Sequence, residues 1–431
     1  MPIFPNLENR FVNAIAVLAM SVGVTVFAGA AHAEEAPSES TLDTLLSAIT
    51  QGKPIFDFRL RYENGDADGL NASNALTART RLGYQTSPIW GIQGLLEFEN
   101  VATPNGSDFF EVVEVNQSGQ TPIADPEVTA VNRFWLRFAK KEWAGLDIKV
   151  GRQRIKLDDD RWVGNVGWRQ NEQTFDAVRG QTTLGIEGLL AQYIYTWEVN
   201  RIFGDQGPAG TRDFGQNSHF INLSYQVAPQ LKAVGFAYLL DTNDPFAGNG
   251  SNTFGFRLTG KIPVSDKIAL NYQGSYAFQT DAADNPVDYE ANYGFAELGL
   301  AFAKVGTVAV GYEVLGTDNG DAVVVTPFST AHKFNGFADV FLNNGGARGL
   351  RDVWASIAPA IPIENVKMKF IFHQFYDDQG GDNLGQEYDI VASYKLNKYV
   401  SFLYKFGYFD GGKDRSPPTT VRNFLQTTIK F

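Results

Sequence analysis

The chain has 431 residues, a formal net charge of −12, no Cys, 43 Gly and 13% aromatic residues. Without Cys there are no disulfides, so an exported chain must rely on a large core or a closed sheet. The acidic balance offers no electrostatic footprint for nucleic acid, and although the length would allow roughly two or three soluble domains, no Pro/Ser-rich linker or internal repeat divides it.

At the N-terminus, residues 11–30 read FVNAIAVLAMSVGVTVFAGA, with Arg10 before them and Ala31-His32-Ala33 after. That is a secretory leader with an A-x-A cleavage site, and it predicts a signal peptide over 1–33 and a mature chain from Glu34. An uncleaved anchor is the competing reading. No later segment is apolar for long enough to be a membrane helix. Residues 34–53 are expected to be a periplasmic segment. Within it, SESTLDTLLSAIT predicts a short helix with Ser40 as N-cap and Asp43 in the first turn, against a disordered leader.

From residue 54 to 431 the pattern changes. PIFDFRLRYE sets Phe56, Phe58, Leu60 and Tyr62 on one face and Asp57, Arg59, Arg61 and Glu63 on the other. LTARTRLGYQ, KIALNYQGSYAFQ and YVSFLYKFGYF alternate in the same way. Strict alternation over about ten residues marks a half-buried strand of the length that crosses a bilayer at a tilt. The apolar face is broad, with aromatic residues toward the strand ends, as in a lipid-facing band with its girdle. Roughly eighteen such segments occur, and short and long connections alternate between them, as periplasmic turns and outer loops do. The long ones are 102–130, 155–173, 201–217 and 316–349. The expected fold is therefore all-β: a transmembrane antiparallel β-barrel of about 18 strands, of outer-membrane type, with both termini periplasmic. The last strand, TVRNFLQTTIKF, ends on Phe431, like the signal read by the barrel-assembly machinery. The expected surroundings are outer-membrane lipid and lipopolysaccharide of a Gram-negative cell.

On the inward face, loop lengths suggest a register that sets Arg59 and Arg61 beside Arg81 and Arg79. Like charges placed opposite each other are destabilising unless neutralised. Glu97 and Glu99 on the next strand are one source of neutral pairing, and a passing anion is the other. Arg133 and Arg137 also face in, as do Lys367, Lys369, Lys395, Lys405, Arg422 and Lys430 on the last strands. Closure would join these into one basic sector inside an acidic protein. The surplus acid falls in NGDADGL, DTNDP, TDAADNPVDYE and FYDDQGGD, read as solvated loop tips. The D-x-D-G at Asp66 to Gly69 lacks the remaining calcium-loop ligands, so no metal and no cofactor is expected.

One stretch breaks the alternation: DRWVGNVGWRQNEQTFD, Asp160 to Asp176. With its flanks it reads GRQRIKLDDDRWVGNVGWRQNEQTFDAVRG. Gly151-Arg152-Gln153, Asp158, Arg161, Val163-Gly164, Val166 to Asn171 and Gln173 to Asp176 make it resemble the signature segment of the alginate-export family of outer-membrane proteins. That resemblance implies a barrel of about eighteen strands and, from the founding member, export of an acidic polysaccharide through an arginine-rich pore. The residues themselves suit a pore. Arg161, Arg169 and Arg179 can hold carboxylates in bidentate fashion, and Trp162 and Trp168 offer flat faces for sugars or for Arg. Gly164 and Gly167 would let the chain turn back. The segment is therefore expected to fold into the lumen, or across its mouth, as a constriction built from Asp158, Arg161, Trp162, Trp168, Arg169, Gln170, Asn171, Asp176 and Arg179. Arg161 and Arg169 would project at its narrowest point toward anionic saccharide cargo. In the plainer reading, Arg161 pairs with Asp158 or Asp159 and only pins a loop.

Two channel functions follow: a conduit for anionic polysaccharide or oligosaccharide, or a porin for uptake of small carboxylates or sugars. An enzyme is not expected. The mature His residues, His219, His332 and His373, lie in separate segments, and neither G-x-S-x-G nor H-E-x-x-H occurs.

Overall fold

The computed structural model describes residues 39–104, 109–113, 119–204, 212–411 and 417–431. The signal-peptide segment lies outside them. Residues up to Thr50 form a unit by themselves, and what is described of that unit is one helix, α1, Glu39–Thr50. It includes Ser40, so Ser40 is not the N-cap.

The remainder is a closed antiparallel sheet of 18 strands. Its first half comprises β1 Lys53–Ala67, β2 Ser73–Gln85, β3 Ile92–Ala102, β4 Val128–Lys140, β5 Leu146–Gln153, β6 Thr174–Thr182, β7 Leu189–Asn200, β8 Phe214–Ala228 and β9 Leu231–Leu240. The second half comprises β10 Ser251–Ser265, β11 Ile268–Asp281, β12 Glu290–Phe302, β13 Gly306–Leu315, β14 Leu350–Pro359, β15 Val366–Tyr376, β16 Asn383–Lys395, β17 Val400–Gly411 and β18 Thr420–Lys430. Each pairs with its neighbours in sequence. β18 closes on β1, with Asp57 opposite Lys430 and Ala67 opposite Thr420. Closure satisfies every strand edge within the sheet, which a bilayer demands. Phe431 extends the seam: it exchanges backbone hydrogen bonds with Phe56 (3.0 and 3.1 Å), and the two rings stack at 4.7 Å.

The outer face is apolar and exposed. Leu82, Phe98, Phe134, Leu136, Phe254, Leu298 and Val310 are each about half exposed or more. So extended an apolar surface is a lipid face, not a solvent face. Their neighbours in sequence point inward, and there the main apolar core is found. Phe175 and Ala177 of β6, Ile194 of β7, Phe220 of β8, Tyr238 of β9, Tyr293 of β12, Phe375 of β15 and Phe409 of β17 are buried together with Val163, Phe328, Ala338 and Phe341. The last four belong to the long connections 154–173 and 316–349. Both connections enter the barrel and pack on the wall from inside.

The guessed register between the first strands is corrected. Arg59 lies opposite Arg79, Asp57 opposite Arg81 and Arg61 opposite Thr77, two residues away from the expected pairing. The turn after β1 is short, with Gly65 opposite Ser73, and this fixes the offset.

Candidate functional site

The connection from Arg154 to Gln173 reverses direction inside the lumen. Its turns are made at Asp158, Asp160 and Val166, whose φ values are 52°, 70° and 47°, and not at the glycines. The left-handed region costs a β-branched residue such as Val166 the most, so the surrounding contacts must hold it. Gly164 serves close approach: its N–H donates to the Phe328 carbonyl at 2.8 Å, and an added Cβ would lie 2.3 Å from Thr330 Oγ1. The two inserted connections therefore touch backbone to backbone.

On the β1–β4 wall, Arg59 donates to the carbonyls of Gly167, Trp168 and Arg169 at 3.1–3.2 Å. Arg61 donates to the Trp168 carbonyl, pairs with Asp125 at 3.4 Å and lies over the Trp168 ring at 4.1 Å. Arg79 pairs with Asp57 at 2.5 Å, not with a β3 glutamate. Arg81 pairs with Glu99 and approaches Glu172 of the inserted segment at 3.5 Å. Glu97 takes Arg133 at 2.5 Å, while Glu172 also takes Arg154 and Asn132. The wall thus neutralises itself, and the insertion supplies part of the neutralising charge. Gln170 donates to Thr77 at 2.9 Å and its backbone N–H to Asp125 at 2.7 Å. Asn171 donates to the carbonyls of Arg201 and Ile202.

Neither arginine expected at the narrowest point is free. Arg161 is buried and pairs with Glu313 of β13 at 2.8 Å, with Asn335 accepting at 3.0 Å, and neither Asp158 nor Asp159 is its ion-pair partner. Arg169 is buried between Glu63 (3.0 Å) and Asp339 (2.8 Å), and Glu63 is shared with Arg422 at 3.0 Å. Removing one member of a buried pair costs about 3–5 kcal/mol, so these arginines are anchors. Asp158 accepts from Asn222 of β8 at 2.8 Å. Burial pushes the Asp158 carboxyl up from its ordinary range. Trp162 packs on the wall at Tyr293 and Phe236. Asp176 leaves the group: it alternates with buried Phe175 and Ala177, faces away from the lumen and pairs with Arg152 at 2.9 Å.

Trp168 joins the two insertions. It stacks on His332 at 4.2 Å, and Lys405 Nζ lies 4.0 Å above its ring. His332 Nδ1 is 2.6 Å from Asp339 and Nε2 is 3.0 Å from Lys405 Nζ. That network fixes one tautomer: Nδ1–H donates to the carboxylate and Nε2 accepts from the ammonium. Farther along, Phe337 and Ala338 donate backbone N–H groups to Asp389 and Glu387 of β16. His373 pairs with Asp352 at 2.9 Å. In FYDDQGGD, Asp377 and Asp378 are not solvated tips. Asp377 holds Arg348 and Asp378 accepts from the Thr317 N–H at 3.1 Å, which pins the second insertion, while Asp378 also pairs with Arg351 of β14.

Charge pairing changes along the barrel. At the end with short turns, which in outer-membrane barrels faces the periplasm, several inward cations have no ion pair among the described residues. They are Lys149, Arg179, Lys232, Lys261, Lys367, Lys369 and Lys395. Arg137 is held there by Asp147 at 2.8 Å, and Lys430 approaches Asp57 at 3.6 Å. Arg154, Asp125, Glu313 and Asp339, all central to the packed lumen, are not singled out by the sequence pattern, and Glu63 and His332 are noted there without a partner. Their partners lie in distant segments.

Comparison with known proteins agrees with this architecture. Solved structures similar in fold include Acinetobacter baumannii OccAB3 (12% identity, TM-score 0.67, covering 89% of this chain and 100% of that one). Pseudomonas aeruginosa OccK9 (OpdG) is similar at 10% identity and TM-score 0.68, with the same coverage. P. aeruginosa OccK11 (OpdR) is similar at 12% identity and TM-score 0.63, covering 89% and 97%. No curated protein matches the sequence. The model of the alginate export family matches residues 55–314, more than half of a chain whose barrel and inserted segment are those of an outer-membrane channel; the chain belongs to the alginate export family.

Proposed function

We propose that this outer-membrane channel passes anionic saccharides, with the short-turn mouth collecting their carboxylates. The observation that carries this reading is the segregation of charge along the lumen. Most cations deep in the barrel are matched by Glu63, Glu97, Glu99, Asp125, Glu172 and Glu313, while Arg59 is capped by backbone carbonyls and Lys405 is held over Trp168 and against His332. Cations at the short-turn end, such as Lys149, Lys367 and Lys395, have no such partner among the described residues. Unmatched charge on low-dielectric walls focuses a field that concentrates counter-ions, and the protein does this despite its overall charge of −12.

The second reading is a channel for small carboxylates or sugars. The two insertions favour it, because they pack against the wall on several sides and occupy part of the lumen. The reversal potential of the reconstituted channel in a salt gradient tests the shared core of both readings. Anion preference is expected, and a cation-selective channel contradicts it.

A further inference from the structure

The inward cations at the short-turn end are not evenly spread. The register sets Arg137 of β4 opposite Lys149 of β5, and Lys149 opposite Arg179 of β6. Three cations thus stand in one row across adjacent strands, where like charges directly opposite one another are destabilising. Among the described residues, one carboxylate serves the row. Asp147 takes Arg137 in a bidentate grip, 2.9 Å to Nε and 2.8 Å to Nη2. Asp147 is committed to that grip, and Gln181 also donates to it at 3.2 Å.

Among the described residues Arg179 donates only to neutral amide oxygens, Gln181 at 2.8 Å and Gln192 at 2.5 Å. Lys149 is propped over the Trp135 ring, its Nζ 4.5 Å from the centroid, and its ammonium has no acceptor among the described residues. Asp147, Lys149, Arg179 and Gln181 line an open crevice. Higher in the lumen the pattern is different: Arg79 and Arg81 each have a carboxylate within the protein.

We infer that Lys149 and Arg179 form an anion subsite that holds one carboxylate group of a sugar acid at the periplasmic end of the lumen. The guanidinium supplies directional donors and the ammonium a point charge, while the two glutamines fix the plane of the guanidinium. A carboxylate there would neutralise the row and be released upward as the next binds. This inference rests on the anion-channel reading and adds the first stop on its path.

The test uses the full chain in planar bilayers, with trigalacturonate added to one side at a time. The frequency of blocking events on addition to the short-turn side is expected to fall about tenfold in a Lys149→Gln/Arg179→Gln variant. The frequency from the opposite side should change little. Single Lys149→Gln, which removes no hydrogen bond, should fold as wild type and show a partial fall. Lys149→Arg should keep the block. If trigalacturonate blocks both Gln variants as it blocks wild type, the subsite is wrong even where wild type prefers anions. A cation preference in wild type would instead remove the reading on which the subsite depends.

Discussion

Acidification should loosen the contact between the two inserted connections, and His332 sets the pH at which it does so. Burial first, and then the neighbouring Lys405 ammonium, depress the imidazole from its ordinary 6.5 to about 3, although Asp339 pulls the other way. The imidazole is therefore neutral when stacked on Trp168. Burial would raise Asp339, but His332 and Arg169 hold it below the ordinary carboxylate range, so it stays charged through the window considered. The depressed group is a base, so the released connection binds the proton more readily than the docked one. Stability is thus fully present above pH 6.5 and is lost as pH falls toward 3. At pH 5 the loss is about 2 kcal/mol, from 1.5 pH units at 1.36 kcal/mol each. That shifts the docking equilibrium by roughly thirtyfold. A protonated Nε2 would also face Lys405 across 3.0 Å. Single-channel recordings from pH 7.5 to 4.5 should show growing flicker and a larger open level in wild type. His332→Gln, which cannot gain a proton there, should show a shallower profile. Equal pH dependence in the two proteins would refute the reasoning.

Other outcomes follow from the same contacts. Arg161→Ala leaves Glu313 buried beside Tyr293 and Asn335, at a cost of about 3–5 kcal/mol. Proteolysis within 154–173 should accelerate and conductance should rise, with anion preference and heat-modifiable migration unchanged. Gly164→Ala forces a Cβ to 2.3 Å from Thr330 Oγ1 and should destabilise the docked state by about 1–3 kcal/mol. Adding Thr330→Ala should recover part of that loss, as read by thermal unfolding in detergent. Phe431→Ala removes the stack on Phe56 and should lower the thermal midpoint of the barrel by the equivalent of about 1 kcal/mol.

The barrel was legible in the sequence because a period of 2 survives whatever the strands pair with. Leu82, Phe98 and Phe134 lie on the expected lipid face. Register was less legible. It depends on the turn at 68–72, and an error of two residues keeps every side chain on its face while changing its partner, as happened with Arg59 and Arg79. That the Trp/Arg/Gly-rich segment leaves the sheet and narrows the pore was readable from its broken alternation, but whether it enters the lumen or crosses its mouth was not. The fate of Arg161 and Arg169 was not, because Glu313 and Asp339 come from segments far along the chain. Loop-borne carboxylates such as Asp125, Asp339 and Asp377 look like any solvated acid until the loop is seen folded inward. Asp176 was misplaced because the irregular segment gives way to β6 at Thr174, where alternation turns it outward.

The central claim is passage of anionic saccharide through a lumen whose unmatched charge is positive. It is tested most directly in proteoliposomes by comparing the permeation of trigalacturonate with that of maltotriose, a neutral sugar of the same chain length. The account predicts faster permeation of the acidic trisaccharide, with the advantage shrinking as salt is raised. Equal rates, or faster passage of the neutral sugar at low salt, would contradict it.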